Sequence, residues 1–91
     1  MRGRHDRRDE IEAQVVAACL AVGCSVTRIS ESGAPDLLLG RCGETFLVEL
    51  KRPKVGTFTE AQQRWHQQWK GRPPIVATSV AEVLNAIGAV E

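Results

Sequence analysis

The sequence predicts an α/β domain, a mixed β-sheet flanked by helices in the order αβββαβα. Three observations predict it. Thr45 to Lys51 alternates along a run of β-compatible residues, the period of a strand. Thr59-Glu60-Ala61-Gln62 and Ser79-Val80-Ala81-Glu82 both have the form of a capping box, which opens a helix. From Lys51 to Ile75 the chain runs strand, helix, strand, a right-handed parallel crossover that gives the sheet its mixed direction.

The remaining elements follow in order. A helix opens at Asp9 or an adjacent residue and runs to about Val22, with Ile11, Val15, Ala18, Cys19 and Val22 on one face and Gly23 ending it. Cys24 to Ser30 reads as a first strand around Val26. Glu31-Ser32-Gly33-Ala34-Pro35 is a turn, and Leu37 to Leu39 is a second strand. Gly40 to Glu44 is a hairpin loop before the third strand, which Pro53 and Gly56 stop. The second helix lasts to about Lys70 and is closed by Pro73 and Pro74. Ile75 to Thr78 is the fourth strand, and the last helix turns Val80, Val83, Leu84 and Ile87 inward.

The chain's 91 residues, 43% of them hydrophobic, fit one soluble domain, read here as a basic arm over 1–8 and a single domain over 9–91. A domain this small buries only about 60–65% of its unfolded surface, which favours a site of a few side chains and a metal ion over an organic cofactor. The net charge of +1 hides a pattern. Residues 1–8 set Arg2, Arg4, Arg7 and Arg8 against Asp6, and residues 51–72 set Lys51, Arg52, Lys54, Arg64, Lys70 and Arg72 against Glu60 alone. The acids concentrate in residues 9–50 between these two basic segments, so a neutral total does not exclude nucleic acid. Cys19, Cys24 and Cys42 form neither a disulfide framework nor a C-x-x-C pair, which fits a reducing cytoplasm. No export signal or membrane span is legible.

A hairpin turning at Cys42 and Gly43 places Asp36 opposite Val48 or Glu49, near enough for two carboxylates to grip one cation. Alternation puts Phe46, Val48 and Leu50 on one face and Leu47, Glu49 and Lys51 on the other, so Glu49 and Lys51 project side by side. Carboxylate oxygens suit Mg²⁺, and a lysine beside them can orient a water and offset phosphate charge. An exposed Glu/Lys strand face beside a turn Asp is the plainer reading of the same residues.

Pro35-Asp36, twelve residues, then Glu49-Leu50-Lys51 resembles the PD-(D/E)xK nuclease signature. With Glu12, Gly33-Ala34-Pro35-Asp36, Phe46 to Lys51 and Thr59 to Trp65, the chain is similar to the VRR-Nuc family over residues 9 to 85, above all its small stand-alone viral and bacterial members. The resemblance implies a restriction-endonuclease-like core and hydrolysis of DNA phosphodiesters with Mg²⁺, or Mn²⁺ in its place. It implies Asp36, Glu49 and the Leu50 carbonyl as metal ligands, Lys51 as the water-activating residue, and Glu12 completing the acidic cluster, a place for which Glu10 competes. For a phage-encoded member the compartment is the host cytoplasm.

Phe58, Gln62, Trp65 and Trp69 form one helical stripe. Gln62 is the polar member of an apolar seam, and a buried amide needs partners. It either closes the capping box alone or, as the resemblance implies, also reaches the lysine or the water. Trp65 and Trp69 read as core or dimer contacts rather than base-stacking groups, and His66 as a surface or interface residue.

No zinc finger or helix-turn-helix is present in the sequence, so shape rather than base sequence is the expected cue. Candidate DNA contacts are Arg4, Arg7 and Arg8 in the first basic segment, Arg52, Lys54 and Arg64 in the second, and Ser32 in the turn before Asp36. Small relatives of this kind are associated with homodimers that cut branched DNA such as four-way Holliday junctions, and two sites related by a two-fold suit paired incisions. A nickase, a flap or single-strand nuclease, and a non-catalytic DNA-binding module are the alternatives.

Overall fold

A computed structural model describes residues 7–51 and 57–89 of the chain, with side chains from Glu10 onward. Its elements are α1 (Arg7–Ala21), β1 (Ser25–Arg28), β2 (Leu37–Arg41), β3 (Glu44–Leu50), α2 (Glu60–Gln68), β4 (Ile75–Ala77) and α3 (Val80–Ala86). The order αβββαβα is the expected one. The strands lie in the order β1-β2-β3-β4, antiparallel except for the parallel β3–β4 pair, so the crossover through α2 produces the mixed sheet.

The hairpin between β2 and β3 turns on two residues, Cys42 at φ 52° and Gly43 at φ 80°. Positive φ at both central positions matches the twist of the strands and pins the register Leu37↔Val48, Leu38↔Leu47, Leu39↔Phe46. That register decides which side chains meet at the far end of the hairpin. Leu37, Leu39, Phe46, Val48 and Leu50 point to one face, where they are buried against Val15 and Cys19 of α1, Ala77 of β4, and Val83 and Ile87 at α3. Leu47, Glu49 and Lys51 point to the other face, which α2 covers only in part. Leu38 and Val76 on that face remain exposed.

Several boundaries differ from expectation for local reasons. α1 is already helical at Arg7, two residues before Asp9, and closes at Gly23 with bonds from Gly23 N to Leu20 O and from Cys24 N to Cys19 O. β1 is shorter than expected because its pairing to β2 runs only from Ser25 to Arg28. α2 ends at Gln68 rather than near Lys70, since Trp69 takes an extended conformation (ψ 130°) as the C-cap and donates its N–H to Trp65 O. Glu82 reaches back to Thr78 N and Thr78 Oγ1, one residue beyond the expected partner Ser79, whose hydroxyl accepts from Glu82 N. Among the described residues no helix is long and apolar enough to cross a membrane.

Burial, with Cys24 beside it, pushes the Cys19 thiol up from 9.0 to about 11. The unfolded chain then releases this proton from about pH 9, the folded chain only near pH 11. Stability is full below the lower value and falls by about 2–3 kcal/mol across that window. Urea midpoints measured at about pH 8 and about pH 11 should show the fall, and Cys19→Ala should remove part of it; an unchanged difference in the variant assigns the fall to other groups.

Candidate active site

Asp36 stands one residue before β2, and its backbone extends the ladder: Asp36 N donates to Val48 O at 2.8 Å. The register carried one step further sets it opposite Glu49. Asp36 Oδ2 accepts from Leu50 N at 2.8 Å, so the carboxylate is tied to the strand that carries Glu49 and Lys51. Asp36, Glu49 and Lys51 are all buried, Glu49 completely. Buried charges persist only where they are paired and hydrogen-bonded, so an exposed Glu/Lys strand face does not describe them.

Gln62 joins the set. Its Nε2 donates to Glu49 Oε2 at 2.8 Å, and its Oε1 accepts from Lys51 Nζ at 2.8 Å and from Thr59 N at 2.9 Å. Gln62 N in turn donates to Thr59 Oγ1 at 3.1 Å. The capping box and the reach to the lysine, posed as alternatives, coexist in one amide. A single side chain thereby fixes the start of α2 against the end of β3. Lys51 Nζ also donates to Thr57 O at 2.9 Å, lies 3.9 Å from Glu49 Oε2 and stands 4.6 Å from the centre of the Phe58 ring.

The turn before Asp36 is shaped to receive α2. Gly33 has φ +84°, and a Cβ there would come within 2.7 Å of Ala61 O. Glycine permits both the left-handed backbone and the close approach. This contact seats the residue next to Gln62 in α2.

Other expected residues are distributed differently. Glu12 pairs with Arg28 of β1 at 3.0 Å, and among the described residues no three acidic, histidine or cysteine side chains converge as a metal cluster. Glu10 is exposed. Ser32 and Arg64 line one recess with Glu31, Ala61, Trp65 and Gln68, so two expected DNA contacts meet there. The Arg64–Glu60 pair at 3.9 Å is exposed on both sides and holds neither side chain firmly. Arg4, Arg52 and Lys54 lie outside the described residues, as do the side chains of Arg7 and Arg8.

Trp69 is not a core residue: it is 43% exposed. His66, expected at the surface, is half-buried and stacked on Phe58 with ring centres 4.6 Å apart. Thr57 O, Phe58 and Arg28 are partners that sequence reasoning missed. Phe58 was detectable as the first member of the stripe through Gln62. Nothing local marks a carbonyl at 57 or the pairing of Arg28 with Glu12.

No protein-family model matches the chain, and no curated protein matches it in sequence. A solved structure described as a VRR_NUC domain is similar, with a TM-score of 0.73 and 26% identity over 92% of this chain and 97% of that one. The four-stranded mixed sheet and its order of elements are those of the restriction-endonuclease-like α/β fold, and the likeness suggests a nuclease domain. Within that class, the likeness over nearly the full length of both chains supports the VRR-Nuc family.

Proposed function

We propose that this domain is a metal-dependent DNA endonuclease, a homodimer that hydrolyses phosphodiester bonds and selects branched DNA such as Holliday junctions by shape. The observation that carries the reading is the buried set of Asp36, Glu49, Lys51 and Gln62 at the end of the β2–β3 hairpin.

The donor chemistry fits a hard divalent cation. Mg²⁺ binds through one or two carboxylates and keeps several waters, so Asp36 and Glu49 with the Leu50 carbonyl suffice in kind and number. These three would hold Mg²⁺, or Mn²⁺ in its place, and such an ion supplies charge stabilisation at the phosphoryl oxygens. Glu12 is the further carboxylate of this reading. Its pair with the 59% exposed Arg28 is worth about 0–1 kcal/mol, too little to keep it from a cation. Lys51 gives two of its three ammonium protons to Gln62 Oε1 and Thr57 O, which leaves the third to orient a water or offset phosphate charge. Gln62 keeps that ammonium in place, and Glu49 keeps Gln62 in place.

Support for shape selection is that neither the sequence nor the described fold carries a base-reading module. The exposed apolar side chains Leu38 and Val76 support a second copy, because exposed apolar surface of this kind marks association. Ser32 and Arg64, with the basic segments around Arg4, Arg7, Arg8, Arg52 and Lys54, would follow the phosphates.

Four-way, flap, single-stranded and linear duplex DNA incubated with the protein and Mg²⁺ or Mn²⁺ test this reading. The four-way junction should be cut fastest and by paired incisions. Equal cutting of linear duplex removes the shape selectivity, and preference for a flap, a nick or a single strand replaces the substrate. DNA bound but never cut makes the domain a binding module. A monomer at micromolar concentration in sedimentation removes the paired incisions.

A further inference from the structure

The nuclease reading accounts for α2 through Gln62 but not for the two tryptophans beyond it on the same face. Trp65 and Trp69 stack with ring centres 4.7 Å apart and planes inclined by 16°. They are the only tryptophans of the chain, and Trp69 is the more exposed of the two.

The exposed indole is held in a fixed place. Trp69 Nε1 donates to Arg72 O at 2.9 Å. A Cβ at Gly71 would fall 2.8 Å from the indole, so a side chain there would force the ring or the turn to shift. Arg72 is itself anchored to the sheet, with Nη1 donating to Thr45 O at 3.4 Å and its guanidinium 5.0 Å from the centre of the Phe46 ring. Ordinary exposed side chains are free to move among rotamers, whereas this indole is held by a stack and a hydrogen bond. Rigid aromatic surface of this sort suits recognition, because little entropy is lost when a partner binds.

Its surroundings indicate the partner. Trp69 and Arg72 line one recess with Thr45 and Leu47, while Trp65 and Arg64 line another with Ser32. Guanidinium groups beside stacked aromatic rings are the combination that binds single-stranded nucleic acid, the rings taking bases and the cations taking phosphates. Glu31 also lines the second recess, and Glu60 lies 3.9 Å from Arg64.

Position adds a second argument. Gln62 and Trp65 are at i and i+3 on one side of α2, and Trp69 is the C-cap that follows its last turn. Seven residues at 1.5 Å place Trp69 about 10 Å beyond Gln62 along the axis. That distance is about three base steps at the 3.4 Å rise of duplex DNA, and fewer along an unstacked strand.

We propose that Trp69, stacked on Trp65 and flanked by Arg72 and Arg64, is a stacking site for an unpaired nucleobase of the DNA, a few nucleotides from the scissile phosphate. The site rests on the nuclease reading and adds to it a way to distinguish branch points, where bases are unpaired, from continuous duplex.

Binding measured in EDTA, without cleavage, tests the site. The probes are a labelled single strand, the same strand with abasic positions, and the blunt duplex. The single strand should quench the tryptophan fluorescence more than the duplex does. Trp69→Ala should weaken single-strand binding roughly 5- to 100-fold, the effect of losing one stacked base. Trp69→Phe should recover most of it, and duplex affinity should be unchanged. The abasic strand should bind wild type and Trp69→Ala alike.

Equal single-strand affinity in Trp69→Ala and wild type overturns the site, as does an equal loss on duplex. A changed sedimentation coefficient in Trp69→Ala overturns it in favour of a contact between copies. Wild type that binds neither DNA overturns the nuclease reading as well, whereas wild type that binds and cuts DNA while Trp69→Ala changes nothing overturns the stacking site alone.

Discussion

Asp36→Asn is expected to lower DNA cleavage by about a thousandfold or more while the variant melts within a few degrees of wild type. The two effects separate because Asp36 has two tasks. One oxygen accepts from Leu50 N at 2.8 Å and secures the end of the hairpin, and an asparagine carbonyl can accept the same bond. The charge is what asparagine lacks. Loss of several kcal/mol of charge stabilisation at the reacting phosphate corresponds to about three powers of ten in rate. Asp36→Ala should lose the same activity and, in addition, about 1–3 kcal/mol of stability, since Leu50 N is left buried without its acceptor. Cleavage assays paired with thermal melts of both variants check this. Full activity in Asp36→Asn would remove Asp36 from the chemistry.

Gln62→Ala is expected to be the more damaging change to the fold. One amide accepts from Lys51 Nζ and Thr59 N and donates to Glu49 Oε2, all within 2.9 Å. Truncation removes one hydrogen bond each from a buried carboxylate and a buried ammonium and half of the capping box. Bonds to charged groups are worth about 1.5–3 kcal/mol each, and some of the loss is recovered by Thr57 O and by the 3.9 Å Lys51–Glu49 pair. A net loss of about 2–4 kcal/mol follows, which for a domain of this size lowers Tm by roughly 10–25 °C. Activity measured well below that Tm should still fall by about ten- to a hundredfold, because the ammonium is no longer held in one position. A melt unchanged from wild type would show that the amide does not join α2 to β3.

Both expectations rest on a site that was largely legible in the sequence, and the physics explains which part. Asp36, Glu49 and Lys51 could be brought together from the turn at Cys42 and Gly43, because a two-residue hairpin fixes register and register fixes facing pairs. The alternation of Phe46 to Lys51 separated the buried face from the site face. Gln62 was identifiable as a polar residue in an apolar stripe, and Thr59 as its cap. The illegible part depends on contacts between elements. Glu12 was expected in the acidic cluster from α1, and nothing in the sequence marks its pairing with Arg28 on the neighbouring strand. Trp69 continues the stripe by count, but the helix stops one residue earlier and leaves the indole on the surface. No periodicity marks where a helix frays against the next turn.

In the proposed mechanism the buried Asp36, Glu49 and Lys51 set cuts DNA with the help of a divalent cation. The most direct measurement tracks product formation from an end-labelled four-way junction with the wild-type protein in Mg²⁺, the same reaction in EDTA, and Asp36→Asn in Mg²⁺. Product in the first reaction alone is the predicted result. Equal product in EDTA, or from Asp36→Asn, would contradict it.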